Sequence, residues 1–324
     1  MKKVNPRHGS MQVWPRKRAK REQPRIRSRP VVKEAVPIGF AGYKVGMTHV
    51  QAIDAYKNSI TKGQEISVPV TIIECPPLRI HSLRCYVSKG YGFEIANEIF
   101  FKGTKYTSRR VTFKVSSPDK LDNLNLSDYH HFSITLSTQP NLTGLKKTPE
   151  IFELPVGGSN EDVINFVKEN KEKDIKVSEI LKEGDIVDFH AITKGKGYQG
   201  SVKRFGIGLK SHKSEKGQRA PGSISGGWVA QGHMMWRVAF PGQMGYHQRT
   251  QYNSQVFKMS DKPEEINPSG DFVRYGKVKS DYILVAGSVP GPKKRFVVFT
   301  KAIRPTKIIR PVPTISEISL ASQQ

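Results

Sequence analysis

The letters Gly195-Lys196-Gly197-Tyr198-Gln199-Gly200-Ser201-Val202 match the dinucleotide-binding pattern G-x-G-x-x-G and, with Val202, the glycine-rich loop of kinases. Holding a pyrophosphate would require a helix to open at the third glycine, so that its N-terminal amides face the anion. The continuation VKRFGIGLKSHK contains Gly206 and Gly208 and no apolar helical period, so no such helix is predicted. A kinase would also need VAIK, HRD and DFG elements, and none follows. His212, His233 and His247 raise metal chemistry next, but no HxxxH or HExxH spacing exists and Glu215 is the one carboxylate between positions 193 and 253. General acid–base catalysis and two-metal nuclease chemistry both want carboxylates. These residues therefore predict no catalytic group, no metal and no cofactor.

What the same stretch can do is hold a polyanion. From Thr193 to Asn253 it carries ten Lys and Arg, namely Lys194, Lys196, Lys203, Arg204, Lys210, Lys213, Lys216, Arg219, Arg237 and Arg249. Glycine lets the backbone approach phosphates closely, and the neighbouring lysines and arginines neutralise them. The three imidazoles would add stacking or phosphate hydrogen bonds. Trp228 follows Ser225-Gly226-Gly227 with few apolar neighbours, which suits an indole at a glycine-hinged tip that stacks on a base. Trp236, amid Met234, Met235, Val238 and Phe240, reads equally well as packing. No globular core is predicted for the stretch, which would be disordered or shaped by something anionic outside the protein.

The bulk numbers agree. The chain has 324 residues, a formal net charge of +25 and a pI near 10.0, a balance that points to nucleic acid over an anionic membrane. The charge is uneven, since Glu150 to Phe189 holds eleven acids against five lysines. One part would face water and the rest polyanion. Cys75 and Cys85 are too few for a disulfide framework or a cysteine zinc site and read as buried free thiols in a reducing cytosol. No apolar run approaches the ~20 residues of a membrane span. The N-terminus lacks the apolar segment of a secretory signal; its arginines leave a transit peptide open, though it is Pro-broken and Ser-poor.

Around the basic stretch the elements are as follows. Residues 1–36 form a basic arm with Arg7, His8, Arg16, Lys17, Arg18, Lys20, Arg21, Arg25 and Arg27, and Pro6, Pro15, Pro24 and Pro30 forbid a long helix. Trp14 among arginines suits threading along RNA; a solubilising tail is the other reading. Ile38–Asp54 and Ser67–Ser88 read as sheet, the latter split at Pro76-Pro77. Residues 90–148 show no firm period apart from a strand at His130–Thr138. A helix follows Gly157-Gly158, capped by Ser159 or Asn160, with Glu161 and Asp162 in its first turn and a stripe of Val163, Ile164, Phe166 and Val167. The strand Ile186–Thr193 leads into the basic stretch. Asn253–Ser260, Ser280–Ser288 and Arg295–Ile303 are further strands, and Tyr282–Ala286 against Phe296–Phe299 is the expected hairpin. The pattern is a small barrel with an extruded arm.

HGSMQVWPRKRAKR, GFAGYKVGMTHV, VPVTIIECPPLR, EGDIVDFHAITKGKGYQGSVKRFG and PGSISGGWVAQGHMMWRVAFPGQMGYHQRTQYN together resemble the universal large-subunit ribosomal protein L-three family in its archaeal form. The resemblance implies a mainly β fold: a translation-type small β-barrel over 37–75 and 183–304, an α+β insertion over 76–182 with an acidic, solvent-facing part at 150–189, a basic N-terminal arm (1–36), a central basic finger (194–252) and a C-terminal tail (305–324). It implies a structural, non-enzymatic protein that binds 23S-type rRNA beside neighbouring ribosomal proteins and nucleates subunit assembly in the cytoplasm. Trp228 matches the family's tip tryptophan near the peptidyl transferase centre, and Gln243 to Arg249 match its basic GQ-x-G-Y-H-x-R turn. No membrane, small-molecule substrate or homo-oligomer is expected. The methylated histidine of the family's eukaryotic members is not carried over, because the spacing differs around His212. The competing class is an RNA-modifying or RNA-processing enzyme with a basic groove.

Overall fold

The computed structural model describes residues 10–27, 30–117, 119–122, 124–222, 238–306 and 311–321. The chain divides into two compact units, Glu22–Ala191 with Thr250–Gln324 and Met1–Arg21 with Ile192–Arg249. Among the described residues fourteen strands make the protein mainly β: β1 Gly39–Ile53, β2 Glu65–Glu74, β3 Leu78–Lys89, β4 Gly92–Phe100, β5 His131–Ser137, β6 Ile151–Pro155, β7 Asp174–Ile175, β8 Ile186–Ile192, β9 Tyr198–Gln199, β10 Gly242–Gln243, β11 Gln248–Ser260, β12 Tyr282–Ala286, β13 Phe296–Lys301 and β14 Thr314–Ile318.

In the larger unit a sheet runs in the order β13-β8-β11-β12-β2-β1-β14, and the further pairing of β13 with β1 closes six of its strands into a ring. Closure leaves no free edge within the ring. Phe40, Ile73, Phe189 and Phe299 are fully buried along it, with the Phe189 and Phe299 rings 5.4 Å apart. Each such side chain contributes roughly 1.5–3 kcal/mol by leaving water. Both faces of β8 are covered. Val187, Phe189 and Ala191 are apolar and fully buried, whereas Asp188 and His190 are buried because they are bonded. Asp188 accepts from the amides of Asn253 (2.8 Å) and Ile303 (3.1 Å), and His190 bonds Thr250 and Thr300.

The hairpin expected between Tyr282–Ala286 and Phe296–Phe299 does not form. β12 pairs with β2 and β11, and β13 pairs with β1 and β8. The strands adjacent in sequence are separated because each finds a longer apolar partner elsewhere in the ring, and Gly287, Gly291 and Lys294 carry the connection in the left-handed region. At the ring's wall, Glu74 is fully buried. It accepts from the Tyr275 hydroxyl and from the amides of Lys279 (2.8 Å) and Ser280 (2.9 Å), fixing the segment that leads into β12.

A second sheet runs β4-β3-β5-β6 with β7 on β3. Pro76-Pro77 separates β2 from β3, since proline cannot donate to a ladder. β4 and the short helices Asp119–Asp122 and Pro140–Thr143 occupy the region without a clear period. The helix Asn160–Asn170 lays Val163, Ile164 and Val167 into the core. Ser159 caps it in a reciprocal box, the Ser159 hydroxyl accepting from the Asp162 amide (3.3 Å) and the Asp162 carboxylate from the Ser159 amide (2.9 Å). Such a cap stabilises by about 1 kcal/mol.

Candidate nucleic-acid interface

β8 hands the chain into the smaller unit at Ile192, and the outgoing chain returns alongside it. The Thr193 amide donates to the His247 carbonyl (2.9 Å), the Lys196 amide to the Met244 carbonyl (2.9 Å) and the Met244 amide to the Gly197 carbonyl (2.8 Å), and β9 pairs with β10. This tight neck requires Gly245, whose φ is 72° and at which a Cβ would collide with the Lys194 carbonyl oxygen. Tyr246 follows at φ 53°, a conformation that costs a non-glycine residue roughly 1 kcal/mol or more. Its carbonyl accepts from the Ala19 amide of the arm at 2.8 Å.

A helix does open at the third glycine. Gly200 is its N-cap, and it runs Ser201–Phe205 before Gly206, at φ 66°, ends it. The expectation of no helix is corrected, but a single turn with a buried Ser201 is not the long helix that a dinucleotide site uses. Nor is the stretch without packing, as the sequence led one to expect. Phe205 is only 7% exposed, and the arm covers it: the Trp14 ring meets it edge-on at 5.1 Å and the Arg16 guanidinium stacks over it at 4.3 Å.

Arg204 is the fastener. Its guanidinium donates to the carbonyls of Gln243 (Nε, 3.0 Å), Phe240 (Nη1, 2.8 Å) and Arg16 (Nη2, 3.3 Å), and the Arg16 guanidinium donates back to the Arg204 carbonyl at 2.9 Å. His247 is buried, and its Nδ1 donates to the Lys17 carbonyl at 2.8 Å, which fixes the tautomer. Burial holds its imidazole below the usual value, and Arg249, Arg16 and Arg204 add to this while the Lys17 carbonyl opposes it. Expected to face RNA, Trp14, Arg16, Arg204 and His247 are instead spent on holding the arm against the neck.

Lys194, Lys196, Lys203, Lys213, Lys216, Arg219 and His212 are exposed, as are Lys17, Arg18, Lys20 and Arg21 of the arm; Lys210, Gln243 and Arg249 are half-buried. The Arg18 guanidinium lies 5.2 Å over the Tyr246 ring. Arg25 and Arg27 are exposed on the larger unit. Arg7, His8, Ser225, Gly226, Gly227, Trp228, His233 and Arg237 lie outside the described residues. Among the described residues no three His, Cys, Asp or Glu side chains come together as a metal ion would need. Phe205, Phe240 and Tyr246 are the residues that sequence reasoning missed. The one available signal was the Gly245-Tyr246-His247 turn.

Exposed cations on a neck with one carboxylate, and an arm fastened to it, define a protein built to bind an extended polyanion. A family model described as Ribosomal protein L3 matches residues 1–129 and 125–323. The chain is 44% identical to large ribosomal subunit protein uL3 of Methanothermobacter thermautotrophicus, covering 98% of each chain, and 42% identical to that of Archaeoglobus fulgidus, covering 100% of this chain and 99% of the relative. It is 39% identical to that of Nanoarchaeum equitans over 98% and 97% of the two chains. The chain belongs to the ribosomal protein L3 family.

Proposed function

We propose that this chain is a structural constituent of the large ribosomal subunit, in the cytoplasm, whose basic unit binds large-subunit rRNA and helps to nucleate and stabilise the subunit. The closed ring of strands is read as the family's small β-barrel, residues 76–182 as its α+β insertion, and 194–252 as its central finger. The tip, Ser225 to Trp228, reaches toward the peptidyl transferase centre in this reading, and neighbouring ribosomal proteins abut the remaining surface. The observation that carries the proposal is the row of exposed cations at Lys194, Lys196, Lys203, Lys213, Lys216 and Arg219 with Glu215 as the one carboxylate of the stretch. Phosphate contacts of that kind position a protein on RNA without needing catalysis. The family is a non-enzymatic ribosome component, which gives the RNA-modifying alternative no support.

The test is the salt dependence of binding to large-subunit rRNA. Replacing Lys203, Lys213 and Lys216 together by Ala should flatten the log–log salt slope by about 2, since each phosphate contact contributes about 0.7–0.9. An unchanged slope would remove these lysines from the interface.

A further inference from the structure

β14 lies outside the closed ring. It continues the place of β13 along β1, pairing Ile318 with Val50 through to Thr314 with Ile53, and among the described residues it pairs with nothing on its other edge. That edge borders an open groove of about 580 Å³ lined by Val312–Ile318 on one side and by Glu183, Phe257, Lys258 and Glu265 on the other. On the far wall, β11 has exchanged the partner strand for a side chain: the Met259 amide donates to the Glu183 carboxylate at 2.9 Å. β8 begins only at Ile186, so the ladder stops short of this level. The groove is therefore bounded by a strand with an unpaired edge and by a second strand past the end of its neighbour.

Its chemistry is unlike the rest of the chain. Among the described residues, Glu183, Glu265 and Glu317 line it against Lys258 alone, in a protein of net charge +25, and Phe257, Ile315 and Ile318 add apolar surface. Glu265 is committed to Lys258 (2.7 Å) and the Tyr282 hydroxyl (3.3 Å), whereas Glu317 stands exposed on β14. An RNA backbone is repelled by such a surface. An unpaired strand edge can satisfy its whole row of main-chain groups by pairing with another extended peptide, with alternate side chains directed into the groove.

We propose that this groove receives an extended, lysine- or arginine-bearing segment of another protein, which adds to β14 as a further strand and sets a cation against Glu317. The proposal rests on the reading of the chain as a large-subunit constituent, because it is there that basic protein segments would meet it.

The experiment uses assembled large subunits carrying the full chain with a photo-crosslinking amino acid at Thr314, an exposed residue of β14. Adducts are mapped to the residue by mass spectrometry, and the chain is first followed by immunoblot into the subunit fraction. Absence from that fraction would count against the ribosomal reading itself. With the chain present, an adduct to a Lys- or Arg-containing segment of another protein, lost with Glu317→Lys, weakened with Glu317→Gln and retained with Glu317→Asp, supports the proposal. An adduct to rRNA, to a second copy or to this chain's own tail overturns it, as does the lack of any adduct or an adduct indifferent to Glu317→Lys.

Discussion

Arg16 and Arg204, 188 positions apart, hold each other's main chain: each guanidinium donates to the other's carbonyl, at 2.9 and 3.3 Å. Two cations lie side by side because each finds carbonyl oxygens and the Phe205 ring face within reach, at 4.3 Å for Arg16 and 5.0 Å for Arg204. Burial lowers the pKa of both, and the Arg16 charge adds to the lowering at Arg204. The pairing joins the arm and the neck into one preorganised element, which would reduce the ordering that binding must supply.

Arg204→Lys should release the arm. An ammonium cannot span three carbonyls with a planar fork, and a lost hydrogen bond to a charged donor costs about 1.5–3 kcal/mol. Hydrogen exchange at the Ala19 amide, bonded to the Tyr246 carbonyl, should accelerate by at least about tenfold, an effect of ~1.4 kcal/mol on local opening. Exchange at the β8 amides should not change.

Residues 223–237 and the neck should be separable. Replacing residues 223–237 by a short Gly–Ser linker keeps Phe240 and Gln243, whose carbonyls Arg204 uses. Extending the replacement to residue 245 removes both. The first variant should retain protection of the arm from protease and the second should lose it, while both retain a folded ring. Equal arm cleavage in the two would contradict the clasp.

The sequence disclosed those elements whose signals are local. Pro76-Pro77 marked the end of β2, Ser159 and Asp162 marked the start of a helix, and Ile186–Ile192 alternated as a strand must. It misdirected where pairing is long-range: nothing local in Tyr282–Ala286 says that β2, some 200 residues earlier, is its partner. The clasp was hidden for a related reason. Arg204 looked like a phosphate ligand because its actual partners are backbone carbonyls, and those carry no side-chain signature. The single-turn helix Ser201–Phe205 was concealed by Gly206, which reads as a breaker and serves as its C-cap.

Glu74 should show which cost dominates inside the ring wall. Burial raises its pKa above the usual 4.5, against the lowering effect of its three donors. A raised carboxyl contributes stability that is complete below the unfolded value and is lost as pH rises through the folded one. Glu74→Gln keeps acceptors for Lys279 and Ser280 and should remove this pH dependence, so that it gains on the wild type in chemical unfolding as pH rises from 4.5 toward neutrality. Glu74→Ala leaves three donors unpaired and should cost about 3 kcal/mol or more at either pH.

His190 and His247 should set the acid limit. Burial depresses both below the ordinary 6.5. A depressed imidazole contributes stability that is present above 6.5 and is lost as pH falls through its folded value. Unfolding followed by ring fluorescence should therefore weaken on acidification below 6.5. His190→Gln should flatten that dependence for the larger unit, and His247→Gln should flatten it for protection of the arm.

The central claim is that the chain is a resident structural protein of the large ribosomal subunit, held by many phosphate contacts. The most direct measurement is sedimentation of native lysate through a high-salt gradient, with the chain followed by immunoblot. The account predicts that it travels with the large subunit, because a clasped arm and finger engage folded RNA together. Recovery at the top of the gradient, separate from subunits that remain intact, would contradict it.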